Sequence, residues 1–446
     1  MKPKPQPADA FQLFQAHFKQ ILNLEHPLVQ LADKIDWRRF DVAFADSYSE
    51  DLGAPAKAIR LMVGLQYLKY TFNESDESVV ERWVENPYWQ YFCGFTYLQH
   101  AAPIDPSSLS RWRKRVGAER LELLLKETIE LAVREKQLPA RDLQQVTVDT
   151  TVQEKNITYP TDSKLLYTAI RKLAQAARRR GIVLRQSYVR VAKWAAVKVG
   201  RYAHARQFRR MRRQLRKLRT WVGRLIRDIQ RKVPTVDEGL AEVLAKAERL
   251  RRQQPQDAHK LYSWHEPEVQ CISKGKARQR YEFGQKVAVA TTNRSNWIVA
   301  AKRFENNPYD GHTLGATLAA VESITGVEVA DVYVDKGYRG HGLGTGTQVH
   351  IAGAGSKGIS RAELRRRRRR SAIEPKIGHL KSDHRVGRCF LKGLEGDAIN
   401  IILAAAGANL RKLLRRLFFA LRRWLAAWLQ LPQFTESRCF RMATAA

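Results

Sequence analysis

Three isolated carboxylates in this 446-residue chain have the residue type and the setting of ligands for hard divalent cations. Asp149 lies in a run of β-branched and apolar residues, VTVDTTV, and Asp335 ends a second such run, VYVD, just before a glycine-rich stretch. Glu374 follows in the segment RSAIEP. Carboxylate oxygens suit Mg²⁺, and two metal ions could assist both oxygens of a phosphodiester exchange. Together the three residues predict a metal site, although each aspartate taken alone is more simply explained as a turn or cap residue.

The charge of the chain predicts a polyanionic partner. Lys and Arg number 79 against 44 Asp and Glu, a net charge of +35, and nucleic acid is the leading candidate. Residues 171–232 contain 22 Lys or Arg and a single acid, Asp228, which is too one-sided for an ordinary solvated surface. The four cysteines form no CxxC pair, which argues against a zinc site and a disulfide framework. No uncharged apolar run reaches about 18 residues and no apolar segment follows the polar N-terminus, so we expect neither a membrane span nor a secretory signal.

The segments that must position the carboxylates alternate between strands and helices. Strands are predicted at 145–152, 281–290, 297–304 and 332–336, with a helix at 313–325, and this order indicates a mixed sheet covered by helices. Residues 24–140 have helical patterns throughout. We therefore divide the chain into an N-terminal arm (1–23), a helical DNA-binding domain (24–140), a catalytic core (141–163 and 256–395), a basic helical insertion (164–255) and a C-terminal helical tail (396–446).

Three segments resemble the catalytic motifs of bacterial insertion-sequence DDE transposases: VTVDTT around Asp149, YVDKGYRG around Asp335 and RSAIEPKIGHLK around Glu374. One group of that superfamily carries the signature Tyr-x2-Arg-x3-Glu-x6-Lys. Arg370, Glu374 and Lys381 keep its spacing, and Arg367 stands where the tyrosine would be. Residues 265–289 are similar to the family's lead-in to the second core strand, and 24–120 to the helical module that often precedes the core. The resemblance covers most of 24–415, with 160–255 as an insertion.

The resemblance implies a fold and a reaction. The fold is an α/β catalytic core with a ribonuclease-H-like mixed sheet and flanking helices, interrupted by the basic all-helical insertion and preceded by an all-α domain. The reaction is cleavage of double-stranded DNA at the element's terminal inverted repeats, then joining of the 3′ ends to target DNA. The alternatives are a catalytically inert DNA-binding or architectural protein derived from a transposase, and a nuclease without strand transfer.

The resemblance also assigns roles to residues. Asp149, Asp335 and Glu374 are expected to be catalytic and to bind Mg²⁺, two ions in all, for which Mn²⁺ could substitute. Arg370 and Lys381 are expected to contact phosphate near the active site. We further expect a homodimer in the synaptic complex, no membrane association, and a cytoplasmic, nucleoid-associated protein.

Basic residues outside the catalytic motifs are candidates for further DNA contacts. They lie on a short predicted helix at 107–116, in the insertion, in a loop before the second core strand and before Glu374: Arg111, Arg113, Lys114, Arg209, Arg210, Arg212, Arg213, Lys276 and Arg367. Four aromatic residues of the insertion, Trp194, Tyr202, Phe208 and Trp221, are expected to be core residues rather than base-stacking ones. Asp310 and Thr313 are expected to cap a helix, the alternative being support beside the metal site.

The spacing around Glu374 predicts a polar stripe on a helix. At 100° per residue, Arg367, Arg370, Glu374 and Lys381 fall on one face about 60° wide. We expect one continuous helix, kinked at Pro375. The alternative is a helix that begins at Pro375, where proline is tolerated, with Glu374 at its cap.

Overall fold

The computed structural model describes residues 16–48, 55–233, 235–273, 280–344, 346–353 and 359–428, with the side chains of 418–428 excepted. The expected DNA contact Lys276 lies outside these residues. Among the residues described, no helix is long and apolar enough to span a membrane.

Helices precede, interrupt and follow the strands. The helices are α1 (Phe18–Ile21), α2 (Pro27–Lys34), α3 (Trp37–Phe44), α4 (Ile59–Phe72), α5 (Asp76–Glu85), α6 (Pro87–Phe92), α7 (Ser107–Val116), α8 (Ala118–Arg134), α9 (Asp162–Arg179), α10 (Val189–His204), α11 (Phe208–Lys232), α12 (Glu238–Arg252), α13 (Asp310–Thr325), α14 (Arg361–Arg369), α15 (Ile373–Asp383) and α16 (Gly393–Trp428). The strands are β1 (Gln145–Glu154), β2 (Gln270–Ser273), β3 (Tyr281–Thr292), β4 (Ile298–Phe304), β5 (Asp331–Val334) and β6 (Gln348–Ile351). The four predicted core strands and the predicted short helix 107–116 are confirmed, whereas β2 was not predicted.

The chain divides into two units. Unit 1 comprises Met1–Gln153, Lys286–Leu391 and Glu395–Ala446, and unit 2 comprises Glu154–Gln285 and Lys392–Leu394. In unit 1 the N-terminal helices and the sheet share one hydrophobic core. In unit 2, helices α9 to α12 enclose a second core that includes Leu173, Val222 and Leu240.

The sheet is mixed, as expected. Its strand order is β2-β3-β1-β5-β6, and β4 also pairs with β3. β3 is antiparallel to β2 and β4, while β5 is parallel to β1 and β6. This pattern is consistent with a ribonuclease-H-like core. Alternate residues of β1 and β5, such as Val148 and Val334, are buried in the unit 1 core, which leaves their neighbours on the opposite face of the sheet.

Helix α4 is the central helix of unit 1, and α16 packs closely against it. A Cβ at Gly407 of α16 would lie 2.6 Å from the backbone carbon of Tyr70. Only glycine therefore allows this approach. The Tyr70 hydroxyl, buried between the helices, bonds Asn400 Oδ1 at 3.0 Å.

A buried ion cluster connects α4, α5 and α7. Arg113 donates from Nη1 to Asp76 Oδ1 (2.9 Å) and from Nη2 to Asp76 Oδ2 (2.5 Å), and Lys69 Nζ donates to the same carboxylate (2.7 Å). Arg113 and Lys69 are only 2% and 4% exposed. The expectation that Arg113 contacts DNA is therefore wrong, because its guanidinium is enclosed in the protein and neutralised there.

The cluster also changes how Asp76 titrates. Burial raises the pKa of Asp76, but the hydrogen bonds and charges of Arg113 and Lys69 outweigh burial and lower the pKa from its ordinary 3.8 to about 2. Ionised Asp76 therefore stabilises the fold above about pH 4, and this stabilisation is lost as the pH falls towards 2.

Replacement of Arg113 by alanine tests the structural role. Arg113→Ala leaves Asp76 and Lys69 buried without their main partner, and we expect a loss of about 3–5 kcal/mol of unfolding free energy. Arg111→Ala, on the exposed side of the same helix, is the matched control and should cost less than about 0.5 kcal/mol. Urea denaturation measures both. Equal stability of the two variants would contradict the structural role of Arg113.

Candidate active site

The register of two parallel strands brings Asp149 and Asp335 together. Gln145, Val146 and Thr147 of β1 lie opposite Asp331, Val332 and Tyr333 of β5. If the register continues for two more residues along both strands, Asp149 lies opposite Asp335. Neighbouring strands are about 4.8 Å apart, and opposed residues of a parallel pair point to the same face. The two carboxylates therefore share one face of the sheet.

A third aspartate, Asp310, lies beside Asp335. A Cβ at Gly337 would lie 3.4 Å from Asp310 Oδ2 and 3.5 Å from Asp335 Oδ1, so both carboxylates border the same small space above this glycine. Asp335 Oδ1 accepts a hydrogen bond from Gly337 N at 2.5 Å. This bond fixes the aspartate at the point where β5 turns into a short 3₁₀ helix (Lys336–Tyr338).

Asp310 does not cap its helix. It is the first residue of α13, whose cap residue Tyr309 makes no side-chain bond, and Thr313 Oγ1 donates within the helix to Asp310 O. Asp310 Oδ1 instead accepts from Lys286 Nζ (2.8 Å) and Thr150 Oγ1 (2.9 Å). The capping expectation is therefore wrong, and Asp310 lies among the candidate catalytic residues.

The surroundings of Tyr338 show that negative charge is concentrated around the aspartates. Its side chain is 1% exposed. Burial, followed by the charges of Asp149, Asp310 and Asp335, raises the pKa of Tyr338 far above its ordinary value of 10. The phenol therefore stays protonated, and three carboxylates lie within electrostatic reach of one hydroxyl. Sequence analysis missed Tyr338 and Lys286, although a lone lysine in the apolar strand YEFGQKVAVA was a signal.

Helix α14 covers the same face of the sheet as the aspartates. Tyr333, two residues before Asp335, donates its hydroxyl to Glu363 Oε2 at 3.0 Å. Asn293 Nδ2 bonds both Thr147 Oγ1, two residues before Asp149, and the Arg366 carbonyl oxygen, each at 3.1 Å. The helix that leads to Glu374 is thus held over the face that carries both aspartates.

The chain is helical from α14 through α15, interrupted by a 3₁₀ turn at Arg370–Ala372. The expected single helix kinked at Pro375 is therefore wrong: the interruption precedes Glu374, and α15 begins at Ile373. Pro375 is the third residue of α15, where its missing N–H loses no helical bond. A 3₁₀ turn advances about 120° per residue, which rotates Arg367 and Arg370 by about 60° from an ideal stripe.

Glu374 is exposed in this arrangement. Its side chain is 64% accessible, and its Oε1 lies 3.9 Å from Arg370 Nη2. Across the described residues, no group of three or more His, Cys, Asp and Glu side chains is placed to hold a metal ion. The paired aspartates have the oxygen donors that suit a hard cation. They form two thirds of the expected ligand set, and Glu374 stays a predicted ligand.

Several arginines of α14 line a groove at the start of β1. The groove includes Arg365, Arg366 and Arg369 together with Arg141 and Arg294. Arg369 Nε donates to the Asn293 carbonyl at 3.3 Å. Because β1 rises about 3.3 Å per residue, Asp149 lies about 13 Å along the strand from this end. The groove is therefore separate from the paired aspartates.

The other expected DNA contacts differ in exposure. Arg367 pairs with Glu363 at 3.2 Å, and Lys381 is partly buried on α15. Arg111 and Lys114 are exposed on α7. The four insertion arginines are all exposed on α11, and none forms an ion pair with a residue that the structure describes: Arg209, Arg210, Arg212 and Arg213.

Two aromatic residues of the insertion are not core residues. Trp194 is 58% and Phe208 50% exposed, so the expectation of burial is wrong for both. Trp221 is partly buried and stacks on Tyr188 with ring centroids 5.7 Å apart, and Tyr202 is partly buried.

Comparison with known proteins gives two family matches. Residues 16–115 match the model described as "Transposase domain (DUF772)", and residues 352–414 match "Transposase DDE domain". The chain is also 52% identical over 208 residues to "Uncharacterized protein ORF8 in nfe locus" of Rhizobium meliloti. The aligned residues make up 47% of this chain and all of that protein. No solved structure matches the chain.

The chain belongs to the insertion-sequence DDE transposases. The matched DDE segment contains Arg370, Glu374 and Lys381, whereas Asp149 and Asp335 lie outside both matched segments. Their assignment therefore depends on the strand register and the local motifs rather than on the family match.

The Lys286–Asp310 pair gives a test of the site's electrostatics. Lys286 is 7% exposed, so Asp310→Ala leaves a nearly buried ammonium without its carboxylate, and we expect a loss of about 3 kcal/mol of stability. The double variant Asp310→Ala/Lys286→Met should recover part of that loss, because the unpaired charge is gone. Urea midpoints measure both variants. Equal or lower stability of the double variant would contradict the role of this pair.

Proposed function

We propose that this protein is an active transposase that cleaves DNA at the terminal inverted repeats of its element and joins the 3′ ends to target DNA. The proposal depends mainly on the β1–β5 register, which, continued by two residues, would set Asp149 opposite Asp335 on one face of the sheet. A strongly basic chain, with a net charge of +35, supports a nucleic-acid substrate.

Asp149, Asp335 and Glu374 would hold the divalent cations, Mg²⁺ or Mn²⁺. Bound there, two cations would polarise the phosphodiester and stabilise charge on its attacking and leaving oxygens. Glu374 is exposed and next to Arg370, at the start of α15, which follows the helix held over that face of the sheet. Substrate phosphate would compete for Arg370 and release the glutamate towards the pair.

Two phosphoryl transfers follow one another in the proposed reaction. Water attacks the phosphodiester at the element's end, and the P–O bond to the 3′ oxygen breaks and releases a 3′-OH. That hydroxyl then attacks a target phosphodiester, so one P–O bond forms as another breaks. Arg370 and Lys381 would orient the phosphate for these in-line displacements. Asp310, held by Lys286, would add a third carboxylate beside Asp335.

Helix α7 is the proposed contact of the N-terminal domain with the element's ends. Arg111, Lys114 and Arg115 are exposed on it, and at 100° per residue they lie within one face about 100° wide. The opposite face carries the buried residues Leu109, Trp112 and Val116. Such a helix can enter a major groove with its cations towards DNA.

One observation favours a second candidate, an inert DNA-binding protein of the same family. The described residues contain no assembled three-ligand metal site, and such a protein would need none. It would retain DNA binding and show no cleavage with any divalent cation. A nuclease would instead cleave without forming joined products.

Substitution of each proposed ligand tests the active-enzyme proposal. Asp149→Ala, Asp335→Ala and Glu374→Ala should each reduce cleavage by about 100-fold or more, because charge developing on the phosphate is no longer stabilised. Affinity for DNA should stay nearly unchanged, since Lys and Arg supply most of it. The assay uses labelled duplex that carries the inverted repeats flanking the gene, with Mg²⁺ or Mn²⁺, and measures nicked and joined strands.

Glu328→Ala is the matched control, because this carboxylate is exposed and precedes β5, whereas Asp335 follows the other end of that strand. It should cleave normally. Near-normal cleavage by any ligand variant would remove that residue from the site, and absence of cleavage by the unaltered protein would favour the inert candidate.

The insertion arginines predict a salt effect. Replacing Arg209, Arg210, Arg212 and Arg213 by alanine should weaken binding to all duplex sequences about equally, because phosphate contacts carry no sequence information. The slope of log K against log salt should fall by about 0.9 for each lost contact. Arg251→Ala/Arg252→Ala on α12 is the control, since both arginines already pair with Glu248. An unchanged slope for the quadruple variant would mean that these arginines do not contact DNA.

A further inference from the structure

The outer face of α10 in unit 2 combines exposed apolar residues with cations. Val191, Trp194 and Val197 are 43%, 58% and 40% exposed. They recur every three residues, while Ala192, Ala195 and Val199 of the same helix are buried in the unit 2 core. The exposed residues therefore form a stripe on the side of α10 that faces away from its own core.

Four cations border this stripe. Arg190, Lys193, Lys198 and Arg201 are all exposed, and none of them forms an ion pair with a residue that the structure describes. Helix α10 itself contains no Asp or Glu. An exposed indole is unfavourable in water, and unpaired cations at this density repel one another. An anionic partner with an apolar surface would cover the indole and reduce the repulsion between the cations.

Two possible occupants fit less well. A second copy of this face would set four cations against four cations, which is repulsive. Duplex DNA would satisfy the cations through its phosphates, but its base faces are hidden within the stack. A single strand has phosphates and free base faces together, and aromatic residues in a basic groove are the usual platform for it.

We propose that the α10 face binds single-stranded DNA, with Trp194 stacked on a base, Val191 and Val197 beside it, and the four cations on the flanking phosphates. The inference deepens and rests on the proposed function, since cleavage and joining create unpaired DNA at the element's ends. Within the insertion, α10 would then contact bases, whereas the α11 arginines contact only phosphates.

The test measures binding of the full-length chain without divalent cations, so that it does not depend on cleavage. Three fluorescein-labelled probes are compared by anisotropy: an oligothymidylate of about 20 nucleotides, an abasic strand of the same length, and a blunt duplex. Trp194→Ala should weaken binding of oligothymidylate by about 5- to 150-fold. Binding of the abasic strand and of duplex should change by less than about twofold, because their phosphate contacts are intact. Trp194→Phe should restore most of the affinity.

Val183→Ala is the control, since Val183 is 81% exposed in the same unit but lies outside α10. It should bind all three probes normally. Equal losses on all probes would indicate a structural or purely electrostatic role for Trp194 and would overturn the proposal, as would no loss on oligothymidylate. If the unaltered protein fails to cleave DNA but Trp194→Ala still weakens binding of oligothymidylate alone, the result would count against the proposed reaction only.

Discussion

The parallel pairing of β1 with β5 is the constraint on which the candidate active site depends. A shift of one residue between these strands would move Asp335 to the opposite face from its partner, because side chains alternate along a strand. Val146, Val148, Val332 and Val334 on the core face oppose such a shift, since it would remove valine side chains from the unit 1 core. The buried valines of each strand therefore fix the face on which its aspartate lies.

Cations have two different environments in this protein. In unit 1 the most buried cations pair with carboxylates: Arg113 and Lys69 share Asp76, and Lys286 pairs with Asp310. On α10 and α11 of unit 2 they are exposed, and the acid present, Asp228, is itself buried beside Lys232. The first group stabilises the fold, whereas the second forms the cationic surface that we propose for DNA contact.

Strands and helices could be predicted from the sequence because secondary structure depends mainly on local residue patterns. The core strands and α7 follow from β-branched runs and from the spacing of Leu109, Trp112 and Val116. The opposition of Asp149 and Asp335 depends on pairing between distant segments, which spacing does not encode. Arg113 was misassigned although a signal existed: it lies four residues after Leu109 and three before Val116, and hence on the buried face. The exposure of Trp194 depends on which neighbours cover α10, and composition cannot tell this.

We propose that Asp149 and Asp335 hold a divalent cation together, with Glu374 joining them when DNA is bound. The most direct measurement is anomalous scattering from Mn²⁺ in crystals of the full chain with an end of the element. We expect Mn²⁺ in contact with carboxylate oxygens of both aspartates, and Glu374 turned from Arg370 towards them. Mn²⁺ bound elsewhere, or contact with only one of the paired aspartates, would contradict the account.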